Sequence, residues 1–156
     1  MSVLEIFRWL DNTAIGNGIR DSTNWFPSIE VVHLLGLTIL YGAVLVLDLR
    51  LLGFGLRRQS ITTVAREVNR YLFLGIGIML VTGIPLFLSE ALKCYTNEAF
   101  WFKMGCLLLA LIFQFAIHRR VLSTDHPNPI FAKFAAVSSM LLWFGVGLGG
   151  RAIAFV

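Results

Sequence analysis

Apolar and polar positions fall in long blocks along this chain. Val31–Leu47, Tyr71–Ser89 and Phe134–Gly150 hold no charged residue, and Ala99–Ile117 holds one, Lys103. With its flanks, each block reaches the roughly 20 helical residues needed to cross a hydrocarbon core. A helix of a soluble bundle keeps one polar face, whereas these blocks are apolar nearly all round. They predict an all-α integral membrane protein, a single membrane domain over residues 1–156 built as a four-helix up-down bundle. The expected spans are about 28–50, 70–91, 98–119 and 131–153, preceded by an interfacial helix and entry segment over 1–24. Composition strengthens the picture. The chain is 57% hydrophobic and 14% charged, against about 25% charged in soluble domains.

The connections set the orientation. Arg50, Arg57, Arg58, Arg66 and Arg70 crowd the first, and Arg119, Arg120 and Lys133 flank the third. That side carries +5 and the opposite side −1. The positive-inside rule then predicts cytoplasmic connections and both termini on the outer, periplasmic side. The net charge of +4 becomes an orientation device and a contact for anionic lipid, with no nucleic acid implied. Val3, Ile6, Phe7 and Leu10 recur at helical spacing, which predicts a short amphipathic helix in the outer interface. Trp25 is expected to anchor the entry to the first span and Ser28 to cap its helix. Pro85 should kink the second span, with the Thr82 hydroxyl satisfying the freed carbonyl.

Polar residues inside the spans carry the candidate chemistry, because an ionisable group in a bilayer is a functional candidate by default. At 100° per residue, Glu30, Tyr41 and Asp48 share one side of the first helix, with His33 beside them. On the third helix Lys103, Gln114 and His118 cluster, with Met104 beyond. The first and third helices are diagonal neighbours in an up-down bundle, so these stripes should face each other. Glu30, His33, Lys103, Met104 and Arg151 belong to the outer third, Asp48 and His118 to the inner. His33 and His118 are then separated by about 20 Å of helix rise, which rules out joint ligation of one haem. His33 with Met104 remains as a haem axial pair, and His118 as a lone candidate ligand. His33, Met104 and Cys106 form the alternative set for Cu(I).

Each of these residues also has a plain reading. His33 could bond Glu30 or a neighbouring helix, Lys103 could pair with Glu30 or Glu90, and Asp48 with Lys133 or a loop arginine. His126 reads as a turn residue. Cys94 and Cys106 show no zinc spacing, and a disulfide would need the outer loop to fold back on its own helix. No arrangement of nucleophile, base and oxyanion donors marks a free-standing enzyme. The glycines of the first, second and last spans should allow close helix approach within or between subunits.

The stretch Val32-His33-Leu34-Leu35-Gly36, then Gly42 and Asp48-Leu49-Arg50-Leu51-Leu52-Gly53, resembles the opening helix of uncharacterised bacterial four-span inner-membrane proteins. These are similar to the copper-resistance CopD-type membrane domains. Thr82-Gly83, Asn97-Glu98-Ala99-Phe100 with Lys103, and the late His118 resemble the same group. The resemblance implies a multi-pass protein of the bacterial inner membrane with metal or haem handling, His33 being the position that carries over. Two functions stand: a small subunit holding haem b or copper near the outer leaflet, or a cofactor-free structural or assembly subunit. Either is expected as a homo-oligomer or as part of a larger membrane complex.

Overall fold

The computed structural model describes residues 2–56, 58–124, 127–153 and 155, and for residues 117–119 the backbone alone. Arg57, Asp125, His126 and the His118 side chain lie outside the described residues. Among the described residues eight α-helices follow one another: α1 (Val3–Asp11), α2 (Ala14–Arg20), α3 (Trp25–Leu52), α4 (Ile61–Ser89), α5 (Ala91–Thr96), α6 (Glu98–Phe113), α7 (Arg119–Leu122) and α8 (Pro129–Ala152). A π-helical turn, Gln114–His118, joins α6 to α7. No strand occurs among the described residues.

Four helices are long and apolar enough to span a membrane: Trp25–Leu52, Ile61–Ser89, Glu98–Leu122 and Pro129–Ala152. Their outward faces are apolar, with Leu34, Leu35, Val81, Leu108 and Phe144 all exposed. Only lipid satisfies such a perimeter, so this is a multi-pass membrane protein. α3 packs along α4, and α8 lies between α3 and α6, so α3 and α6 are the diagonal pair. Both chain ends come to one end of the bundle, here the termini end. The two arginine-rich connections come to the other, the arginine end.

The interior is built from small and branched residues: Leu40, Ala43 and Leu47 of α3, Leu72 of α4, Ala110 of α6, and Ala135 and Ala136 of α8. Lipid removes the hydrophobic drive between helices, so close van der Waals packing must hold them. Gly75 shows how close α3 and α4 come. A Cβ there would lie 2.8 Å from Leu40 Cβ and 2.9 Å from its backbone.

Caps explain most boundaries. Ser60 accepts from Thr63 N and opens α4, Asn97 accepts from Phe100 N and opens α6, and Asn128 with Pro129 at the first turn opens α8. Gly53, at φ 85, ends α3 in the left-handed conformation. α4 starts nine residues before the span expected at 70, because Ile61, Val64, Val68 and Leu72 continue one apolar stripe toward the arginine end. The first span opens at Trp25, so Ser28 is inside the helix and caps nothing; Pro27 sits in the first turn, where its missing N–H is no loss.

A short helix does cover Val3, Ile6, Phe7 and Leu10, as α1, and Thr13 then caps a second helix, α2. Phe7 turns into the protein and meets Phe87, Tyr95 and Trp101 at ring distances of 5.2–5.9 Å. A polar clasp completes the docking. Arg20 pairs with Asp11 at 3.1 Å and donates to Ser89 O at 3.0 Å, while Asp11 accepts from Leu92 N at 3.2 Å. The α1–α2 unit is thereby fastened over the junction of α4 and α5.

Candidate functional site

Polar side chains gather at two levels of the bundle. Toward the termini end, His33 of α3 faces α4, with Nδ1 2.7 Å from Thr82 Oγ1. The Thr82 hydroxyl donates its proton to Ile78 O at 2.6 Å. Its oxygen is then the acceptor for the imidazole, which assigns the ring proton to Nδ1 and leaves a lone pair on Nε2. Thr82 therefore does not relieve the carbonyl freed by Pro85, which belongs to Val81. It orients His33 instead. Gly83 leaves room for the ring, since a Cβ there would lie 3.1 Å from His33 Cε1.

Two ring pairs define the side of α6 that looks toward α4. Phe100 stacks on Phe87 at 5.5 Å, and Phe115 on Phe73 at 6.1 Å. Between them the α4 and α6 backbones stay more than 8 Å apart among the described residues. The second and third spans thus meet through aromatic rings and not by close backbone approach. The register of the ring pairs brings Met104 level with Thr82–Gly83, within about one turn of helix. Met104 lies about 40° around α6 from Phe100 and is exposed. Cys106 lies about 160° from Met104 and packs on α8, where a Cβ at Gly145 would come within 2.9 Å of its Sγ. His33 and Met104 thus share a level and look to the α4 side. Cys106 does not join them.

Lys103 also lies against α8. A Cβ at Gly149 would come within 2.8 Å of Lys103 Cβ, so glycine is what admits the lysine stem. The ammonium makes no hydrogen bond or ion pair among the described residues. The partners expected for it are elsewhere: Glu90 is paired with Lys93 and Glu30 is exposed. Its charge acts on both His33 and Cys94. Cys94, on α5 outside the spans, is a free thiol whose pKa is pushed up to about 11, first by burial and then by the Glu90 carboxylate.

The second level lies toward the arginine end. Asp48 is 0% exposed, and Gln114 and Ser139 are buried with it. Tyr41 of α3 donates to Trp143 O of α8, and Cys106 of α6 meets Gly145 of α8. Counting on from those contacts puts Asp48, Gln114 and Ser139 within about one turn of each other along the bundle. Asp48 and Gln114 are engaged in interactions there. Ser139 Oγ and Trp143 Nε1 have no hydrogen-bond partner among the described residues. Neither had been singled out in the sequence, where a serine and a tryptophan in an apolar run carry no signal.

The polar stripe expected along α3 is therefore divided. Glu30 is exposed, His33 faces α4, Tyr41 faces α8, and Asp48 is enclosed. The π-turn widens the helix after Phe113, so His118 does not keep a 100° phase with Lys103 and Gln114. Arg151 lies over the Phe155 ring at 4.4 Å and is exposed. Lys133 is exposed, and Arg50 donates to Gln59 O.

A family of unknown function, DUF6644, matches residues 6–156, and the chain belongs to it. No curated protein and no solved structure matches the chain.

Proposed function

We propose that this DUF6644 member is a small redox subunit of the bacterial inner membrane that holds haem b near the outer leaflet. His33, through Nε2, and Met104 are the residues that would hold it. One observation carries the reading: the Thr82 hydroxyl holds His33 with its lone pair on Nε2. Metal-bound histidines are oriented in this way, by giving the other ring proton to a fixed acceptor. Bound haem would supply one-electron transfer. Around it, Thr82 fixes the ring and the two phenylalanine pairs keep α4 and α6 apart.

The residues do not fit copper as well. The copper set is divided, because Cys106 packs on α8, away from the side of α6 that carries Met104. The resemblance of the first span to CopD-type domains is satisfied equally by haem at His33. A cofactor-free structural or assembly subunit is the second reading, favoured by the same His33–Thr82 bond taken as a clasp between two spans. The arginine end faces the cytoplasm in either case, by the distribution of basic residues, and α1 rests at the outer interface with Val3, Ile6 and Trp9 toward lipid. An electron carrier of this size needs a donor and an acceptor, which fits a homo-oligomer or a place in a larger complex.

The test is an absorption spectrum of gently purified protein, oxidised and dithionite-reduced. A redox-active Soret band that disappears in His33→Ala is expected. Its absence from the wild type would leave the structural reading.

A further inference from the structure

We propose that the arginine end carries a binding site for one anionic phospholipid on the outward face of α4, with Arg66 and Arg70 taking its phosphate. The proposal is independent of the haem reading. It gives a place and a geometry to the general attraction of basic segments for anionic lipid.

The two arginines are four residues apart on one helix, so their Cβ atoms lie about 5–6 Å from each other on the same face. Both are exposed. Arg66 makes no hydrogen bond or ion pair among the described residues. Arg70 is steadied by its neighbour: its guanidinium lies over the Tyr71 ring at 4.9 Å and donates to Tyr71 Oη at 3.2 Å. Its pair with Glu67 is long, at 3.7 Å, and well exposed on both sides, which makes it weak. Glu67 stands about 100° around the helix from Arg66, so its carboxylate does not come between the two arginines. Guanidinium groups so placed suit the oxygens of one phosphate.

The rest of α4 turns an anion site into a lipid site. At 100° per residue Phe73, Gly77 and Leu80 lie within about 40° of Arg66, and all three are exposed. No charged residue occurs in α4 beyond Arg70, so the arginines stand where its apolar run begins. A Cβ at Gly77 would meet no neighbour within 4 Å, which leaves a dip in the row. Phe115 stacks on Phe73 at 6.1 Å, and Ile112 and Leu108 of α6 are exposed beyond it. From Arg70 to Leu80 is about 15 Å of helix rise, half the hydrocarbon thickness of a bilayer. Orientation in a membrane requires only that basic residues lie in the connections. Their alignment on a helix face above an exposed apolar row goes further, and it matches a molecule with a phosphate at one end and an acyl chain below.

The experiment titrates delipidated protein in non-ionic detergent with phosphatidylglycerol or with phosphatidylcholine of the same chains, counting bound lipid by native mass spectrometry. Wild type should bind one phosphatidylglycerol more tightly, by about fivefold for each arginine and about 25-fold in all. Arg66→Gln and Arg70→Gln should each lose about fivefold, and the double variant should treat the two lipids alike. Lys133→Gln, an exposed cation on α8 across the bundle, should change nothing. Excess glycerol 3-phosphate should not displace the lipid. Equal affinity of wild type for both lipids would overturn the site. A loss in Lys133→Gln as large as in Arg66→Gln would overturn it in favour of diffuse attraction. Displacement by glycerol 3-phosphate would overturn the part given to the apolar row. Should an arginine variant not fold, the wild-type ratio and the competition still decide.

Discussion

The two polar levels of this bundle are built on opposite plans. The arginine-end level is closed: Asp48, Gln114 and Ser139 are all but inaccessible, and the groups that engage Asp48 and Gln114 are close at hand. At the termini-end level Met104 is exposed, and Lys103 makes no hydrogen bond or ion pair among the described residues. In a bilayer both arrangements carry ionisable groups at a cost. Where the groups are enclosed and engaged, they hold helices in register. Where a group is oriented but not enclosed, as with His33 on Thr82, it is where the ligand proposed above would bind.

The contrast can be broken in graded steps, beginning with the loss of the Soret band in His33→Ala. Asp48→Ala should destabilise the bundle by about 3 kcal/mol, since the groups around a wholly buried acid would lose their partner. Thermal unfolding in detergent measures this, and an unchanged midpoint would place Asp48 among the unengaged groups. Thr82→Val should do the reverse, leaving the midpoint nearly unchanged while weakening haem retention about 10–100-fold, the usual loss when a ligand's orienting partner is removed. A large loss of stability without loss of haem would make Thr82 a clasp.

Cys94 offers a third step through pH. Its pKa is raised from an ordinary 9.0 to about 11. The thiol therefore contributes stability that is full below about pH 9 and lost as pH rises through about 11. Maleimide labelling at pH 8 should be slow and should accelerate only in alkali. Rapid labelling at pH 8 would mean that the cover of the termini end is loose. Ser139→Ala should have the smallest effect, within about 0.5 kcal/mol or slightly stabilising, because its hydroxyl has no partner to lose.

How much of this was legible in the chain follows from physical range. The four spans were, because bilayer thickness imposes a run length that survives without any alignment. His33, Lys103 and Asp48 stood out because charge is rare in such runs. Their directions did not. Helical phase put His33 beside Tyr41, but one faces α4 and the other α8. The role of Thr82 depends on a contact 49 residues away, and no local pattern announces it. The 160° between Met104 and Cys106 was available from helix arithmetic, yet nearness in sequence grouped them as copper ligands. The π-turn at Gln114–His118 falsified the phase beyond it, since a single widened turn leaves no mark in composition. The split of the N-terminal segment turned on Thr13, a cap in a stretch read for its apolar spacing alone.

The Asp11–Arg20 clasp has a consequence in time. Its bonds join residues separated by 69 and 81 positions in the chain. The α1–α2 segment leaves the ribosome before the second span, but Ser89 and Leu92 do not exist until that span is complete. At roughly 5–20 residues per second, the segment waits on the order of 4–16 s before its seat is made. During that interval the apolar side of α1, Phe7 included, has only lipid or a chaperone for company. A segment synthesised before the first two spans thus reaches its final position only after them.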